Sequence, residues 1–171
     1  MISLAGSFLV ANKGLTDSNF SRSVVLMLAH DEGGAYGVVV NKSVSVEGVP
    51  FPVYVGGPVE SQGVILVHGH SQWSAGETEG ELRPGHSEVA AGIYIGDAAC
   101  FKRATESNAK DLLRVRVFRN YSGWGPGQLE SELAEDTWTI VAASPIVLFD
   151  TPIDEIWLRL KRNVIPQPSV N

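Results

Sequence analysis

A chain of 171 residues, 44% hydrophobic and 19% charged, has the size of one ordinary domain and enough apolar side chains to close a core. Its 13 basic and 19 acidic residues give a formal charge of −6, which argues against nonspecific binding of nucleic acid. The single cysteine, Cys100, excludes an intrachain disulfide and any CxxC pair, and no apolar run reaches the ~20 residues of a membrane helix.

The opening stretch, MISLAGSFLVANKG, has no basic residue before its apolar core, because its first lysine is Lys13. It is therefore expected to be a first strand and not a leader. Turn residues then separate further strand-sized runs: SVVLMLA at 23–29, AYGVVVN at 35–41, PVYVG at 52–56, GVILVHG at 63–69 and GIYIG at 92–96. Val24 to Ala29 and Val38 to Val40 are apolar without alternation, which predicts central strands covered on both faces. LRVRVFRNY at 113–121 alternates instead, so Arg114 and Arg116 are expected on a solvated face.

Helices are expected between and after the strands. Asp97 can cap AACFKRA, with Ala98, Cys100 and Phe101 as inward candidates. Gly127 can open QLESELAED, in which Glu130 can reach back to the cap amide. Thr151, Pro152 and Asp154 form a cap, a first-turn proline and a capping acid ahead of Ile153, Ile156, Trp157, Leu160 and Val164 at helical spacing. The last residues, PQPSVN, read as a frayed tail.

The candidate chemistry starts at HDEGGA, residues 30–35, where Asp and two glycines between apolar runs predict a hairpin with a loop of four or five residues. If His30 and Ala35 flank the loop, paired numbers sum to about 65, and Arg22 and Ser23 fall opposite Asn41 to Ser43 at the open end. His30 stays at the tip, roughly 26 Å away at ~3.3 Å per residue. Arg22, Ser23 and Asn41 thus form one constellation, suited to a carboxylate, a phosphate or a backbone carbonyl. The competing expectation is that they satisfy loop carbonyls and fasten ANKGLTDSNF across the sheet.

Other motifs carry less. Gly56 and Gly57, before Pro58, have amides able to cradle an anion, but no Walker lysine follows, and a close backbone approach fits as well. His68 and His70 share a strand face, with His86 and several acids as possible third ligands, but without the spacing of a zinc motif. Trp124 in YSGWGPGQLESEL is expected to anchor packing, and Glu130 and Glu132 should repel an anion from the helix that follows. Cys100 is expected to be a buried inert thiol with no cationic partner.

In order along the chain, GSFLVAN, NFSRSVVLMLAHDEGGAYGVVVNK, VYVGGPV, VILVHG, YSGWGPGQLESEL with Trp138, and IVLFDTPIDEIW resemble the bacterial YqgE/AlgH family nearly end to end. The resemblance implies a cytoplasmic α+β protein with one domain over residues 1–165 and a tail over 166–171. Its curved, mostly antiparallel, partly barrel-like sheet would be flanked by several helices. It implies no settled activity, and some relatives carry the label of transcriptional regulator. The family's pattern falls here on Arg22, Ser23, His30, Gly34, Gly37, Asn41, Gly57, Pro58, His68, Trp124, Gly127, Gln128 and Trp157. The link from Asn41 to Gly56 is shorter than in many relatives, and ANKGL stands where a proline is common.

Two functions are therefore expected as alternatives. The first is a non-enzymatic binding or regulatory module, with Arg22, Ser23, Asn41, Gly56, Gly57 and Pro58 as candidate binding residues and His30, His68, Trp124 and Gln128 as secondary ones. It would recognise a protein, a peptide or a small anionic ligand, with no metal or cofactor and without direct reading of nucleic acid. The second is a hydrolase or transferase with His30 or His68 as base and Arg22 holding an anion.

Overall fold

Two apolar strands without alternation need cover on both faces, and the fold supplies it. The computed structural model describes residues 1–12, 20–44, 46–49 and 51–164. Strands β1 (Ser7–Ala11), β2 (Val24–Asp31) and β3 (Gly34–Val39) come first, then β4 (Ser43–Val44), β5 (Val53–Val55) and β6 (Val59–His68). Helix α1 (Ser71–Ser74) leads to β7 (Ser87–Ala90), β8 (Ile93–Gly96), α2 (Ala98–Thr105) and α3 (Ala109–Leu112). The long β9 (Val115–Trp124), α4 (Gln128–Ala134), β10 (Trp138–Ala142), α5 (Pro145–Asp150) and α6 (Ile153–Val164) complete the described elements.

The strands pair in the order β10-β1-β2-β3-β9-β6-β8-β7, antiparallel throughout this path. A side branch adds β5, parallel to β9, and β4, antiparallel to β5. The sheet curls into a half-barrel that brings its far edge back to its beginning: a Cβ at Gly6, just before β1, would clash with the Val89 carbonyl oxygen in β7. Only glycine permits that approach, and Gly6 also has φ +81°. The chain is thus a single α+β domain with six helices among the described residues.

One face of β2 and β3 packs Val24, Leu26, Val38 and Val40 against Leu148 and Phe149 of α5 and Ile156, Trp157 and Leu160 of α6. The other packs Val25, Met27 and Val39 against Trp124, Leu129 and Trp138. Trp157 also ties α6 to β1, since its Nε1 donates to the Ala11 carbonyl at 2.8 Å. The hairpin register matches the expected sum at His30↔Ala35, but pairing continues to Asp31↔Gly34 and leaves a turn of Glu32 and Gly33 only. The loop is shorter than expected because Asp31 accepts from the Gly33 amide at 2.7 Å and closes the turn itself.

Strand β9 corrects the expected wet face. It has β6 on one side and β3 and β5 on the other, so it is central, and Val117 and Phe118 are both fully buried. Arg116 lies over the Tyr54 and Phe149 rings and donates to the Leu113, Val115 and Phe149 carbonyls at 2.8–3.0 Å. Burial pulls its pKa below the ordinary arginine value. Leu113 precedes the strand and is 61% exposed.

Helix α2 has its predicted cap, with the Asp97 carboxylate accepting from the Cys100 amide at 3.2 Å, but it buries Cys100 and Ala104 while Ala98 is exposed. The tail at 166–171 and the ANKGL loop beyond Asn12 lie outside the described residues.

Candidate functional site

The polar residues predicted at the open end of the hairpin do meet, and most of their groups serve the backbone. The Asn41 amide oxygen accepts from the Val24 amide at 3.0 Å, and its Nδ2 donates to the Arg22 carbonyl at 2.9 Å. One side chain thereby completes the ladder where β2 begins. Ser23 is fully buried, and its backbone bonds Phe20 and Ala11. Arg22 is exposed, has φ +55°, and places its guanidinium 5.3 Å from the centre of the Trp157 ring. That contact continues the Trp157 tie between α6 and β1.

His30 sits at the hairpin tip with its side chain 3% exposed. Its Nδ1 accepts from the Leu4 amide at 3.0 Å, so Nε2 carries the proton and donates to Glu130 at 2.6 Å. Glu130 therefore bonds the imidazole instead of the cap amide expected of it, and the imidazole holds its carboxyl below the ordinary glutamate value. Glu132 accepts from the indole N–H of both Trp124 and Trp138, at 3.2 and 2.9 Å. The two acids at the start of α4 thus fasten the helix to a histidine and two tryptophans. Gln128 accepts from the Gly125 amide at 3.1 Å.

Gly56 and Gly57 are close-approach glycines. A Cβ on Gly56 would strike the Asn120 carbonyl, and one on Gly57 the Tyr121 carbonyl. The Gly56 amide is spent on the Arg119 carbonyl at 2.8 Å, and Pro58 is exposed beside them.

Next to Pro58 the sheet opens. Between Val59↔Tyr121 and Val64↔Arg119, four residues of β6 face the single Asn120 of β9. The bulge is pinned by two bonds, Ser61 N–H to Asn120 Oδ1 at 3.2 Å and Asn120 N–H to Ser61 Oγ at 3.0 Å, with Asn120 at φ +63°. It borders an open groove of about 810 Å3 lined by Tyr36, Val59, Ile65, Tyr121 and Trp124 and by backbone at Gly33 and Gly34. Among the described residues, Asp31 is the only carboxylate in its lining, and no histidine, lysine or arginine lines it. Tyr36 and Val59 are 40% and 38% exposed, and Tyr36 meets Tyr121 edge to face at 6.1 Å.

A second constellation lies where β6, α1, β8 and α2 converge. His68 Nδ1 accepts from the His70 amide at 3.1 Å, which leaves the proton on Nε2, 2.8 Å from Ser74 Oγ. Ser74 then donates to His86 Nδ1 at 2.7 Å, and His86 Nε2–H faces Asp97 Oδ2 at 3.0 Å, too poorly aligned for a formed hydrogen bond. His68 and Ser74 are fully buried. Burial, reinforced by the neighbouring His70, lowers the His68 pKa to about 4, and His86 lowers that of Asp97 to about 2. Cys100 is buried in the same cluster, 3.7 Å from Arg83 Nη2, so it has the cationic neighbour that was not expected. His70 does not join: it stacks on Trp73 at 4.6 Å and bonds the Asp111 carbonyl.

The fold and these two places define a single-domain α+β protein on a curled antiparallel sheet, with an aromatic groove on the surface and a polar cluster inside. The profile of the AlgH-like family (DUF179) matches residues 8–169. A UPF0301 protein of Streptomyces avermitilis is 36% identical over 94% of this chain and 88% of its own length, and one of Variovorax paradoxus is 34% identical over 90% and 85%. The chain belongs to the AlgH-like (UPF0301) family. The fold is shared by the AlgH protein of Pseudomonas aeruginosa, with TM-score 0.72 at 23% identity over 98% of this chain and 92% of that one. It is shared equally by protein DIP2367 of Corynebacterium diphtheriae, with TM-score 0.73 at 23% identity over 95% and 87%. Among the described residues, no helix is long and apolar enough to cross a membrane.

Proposed function

We propose that this is a non-enzymatic binding module of the bacterial cytoplasm that holds an extended segment of a partner protein in the groove beside the β6 bulge. The observation that carries the reading is the lining of that groove: three aromatic rings and four aliphatic side chains around exposed backbone, with one serine hydroxyl, one carboxylate and, among the described residues, no base, thiol or cation. Such a surface offers area and shape to a side chain, not chemistry to a bond. The ligand is an apolar segment with a basic residue, matched to Asp31 and to the net charge of −6. A regulatory role of the kind suggested by the family resemblance would act through this protein contact and not through direct reading of DNA.

The arrangement of the alternative catalytic residues also favours binding over turnover. Arg22 stacks on Trp157, His30 spends both ring nitrogens at the hairpin tip, and His68 is enclosed with Ser74.

The test is selection of displayed random peptides against the immobilised chain. Enriched sequences should combine bulky apolar side chains with lysine or arginine, and Tyr36→Ala should reduce their binding at least tenfold. Enrichment of acidic peptides, or binding abolished by Arg22→Ala and untouched by Tyr36→Ala, would overturn the reading.

A further inference from the structure

The buried cluster holds a donor set that the groove reading leaves unused. The ligand atoms of His68, His86 and Cys100 lie within 4.8 Å of one another, and all three residues are buried. They come from β6, the segment before β7, and α2, and Gly96 of β8 lets them approach: a Cβ there would lie 2.8 Å from the Cys100 sulfur and 3.2 Å from His68 Cδ2. Two imidazoles and one thiol are borderline-soft donors, the set that suits zinc better than magnesium or calcium.

We propose that His68, His86 and Cys100 form a zinc-class metal site, with Asp97 as the outer carboxylate that orients His86. The second observation is the state of His86. Its ring is fully enclosed, Nε2 has no well-formed hydrogen bond, and that nitrogen faces Asp97 Oδ2 at 3.0 Å. A carboxylate behind one ring nitrogen favours the proton there and turns Nδ1, whose lone pair accepts from Ser74 Oγ, toward the cluster, the arrangement that metal-binding histidines use. Ser74 Oγ, 2.7 Å from His86 and 2.8 Å from His68, is placed to supply the fourth ligand or to hold a bound water.

Three features of the metal-free cluster must change for an ion to bind. The Ser74 hydroxyl, which donates to His86 Nδ1 at 2.7 Å, turns its proton away and frees that lone pair. Cys100 gives up its thiol proton, with the cation replacing the weak contact of its sulfur with the Trp73 carbonyl at 3.6 Å. His68 moves its ring proton from Nε2 to Nδ1 and surrenders the His70 amide, whose 3.1 Å contact is the longest hydrogen bond in the chain of contacts. The thiolate and Asp97 carry two negative charges, faced by Arg83, whose Nη2 lies 4.0 Å from Asp97, and by Arg103 over the Trp73 ring. The corner opens to solvent on this side, where the Asp97 and Arg83 side chains are 44% and 41% exposed.

The site is independent of the groove, and its test uses the full-length chain stripped with a chelator and refolded from urea with increasing Co2+. One equivalent should give a sulfur-to-cobalt charge-transfer band together with the intense ligand-field bands of a four-coordinate ion, and Zn2+ should erase both. Cys100→Ser should remove the charge-transfer band, and Asp97→Asn should weaken binding about 10–100-fold. Nitrogen-15 shifts of the His68 ring should report protonated Nδ1 and metal-bound Nε2 in the zinc form. A refolded wild-type chain with no bands at millimolar Co2+ would refute the site, as would spectra that Cys100→Ser leaves unchanged.

Discussion

The hairpin end and the buried corner use similar side chains to opposite effect. At the hairpin end, Asn41 spends both amide groups on the backbone, and Arg22 lies over the Trp157 ring. At the corner, His68, Ser74, His86 and Asp97 contact one another in sequence, and backbone is met only at the two ends, the His70 amide and the Cys100 amide. Polar groups that end on backbone close a fold, and their removal is felt as lost stability. Polar groups that end on other titratable side chains form an arrangement with more than one protonation state, which is where chemistry becomes available.

The largest expected effect falls on the hairpin side. Trp157→Ala removes a buried ring, its bond to the Ala11 carbonyl and the platform under Arg22, and should cost about 3–5 kcal/mol in chemical denaturation. A cost below about 1 kcal/mol would mean that α6 does not hold β1 as described. The corner should respond next, and to pH. The His68 pKa is lowered from 6.5 to about 4, so the native state favours the neutral ring. The unfolded chain takes up its proton first, and stability is present above pH ~6.5 and lost as pH falls toward ~4, by about 3 kcal/mol in chelated protein. A His68→Phe variant should lose that slope in urea titrations across this window, whatever its absolute stability.

A smaller effect separates the hairpin end from the groove. Asn41→Ala leaves the Val24 amide and the Arg22 carbonyl without their partner and should cost about 1–3 kcal/mol. Tyr36→Ala should change stability by less than about 1 kcal/mol, because the ring is 40% exposed and meets Tyr121 only edge to face. Its effect should appear in peptide affinity instead.

What could be read ahead of the coordinates follows the range of the interactions. The β2–β3 hairpin depends on neighbours in sequence, so its register, the meeting of Arg22 with Asn41 and the exile of His30 to the tip were legible from apolar runs and two glycines. The cap of α2 at Asp97 and the spacing of Ile156, Trp157 and Leu160 on α6 were legible for the same reason. The face of β9 was not: alternation marks Arg116 as solvated, whereas its burial depends on α5, which arrives some thirty residues later in the chain. The groove was hidden too, because ESQG at 60–63 becomes a bulge only when Asn120 pairs against it. His68, His86 and Cys100 follow no motif spacing. Sheet order and the small side of Gly96 bring them together, and the one local hint was the cap that fixes Cys100 one turn after Asp97.

The central claim is that the groove, and not the Arg22/Asn41 edge, is the surface that meets a partner. The direct measurement is a paired one on two variants: unfolding free energy, and affinity for one selected peptide under conditions where both are folded. The account predicts crossed results, with Asn41→Ala less stable but binding normally and Tyr36→Ala stable but binding at least tenfold more weakly. Loss of binding in Asn41→Ala at unchanged stability, with Tyr36→Ala still binding, would contradict it.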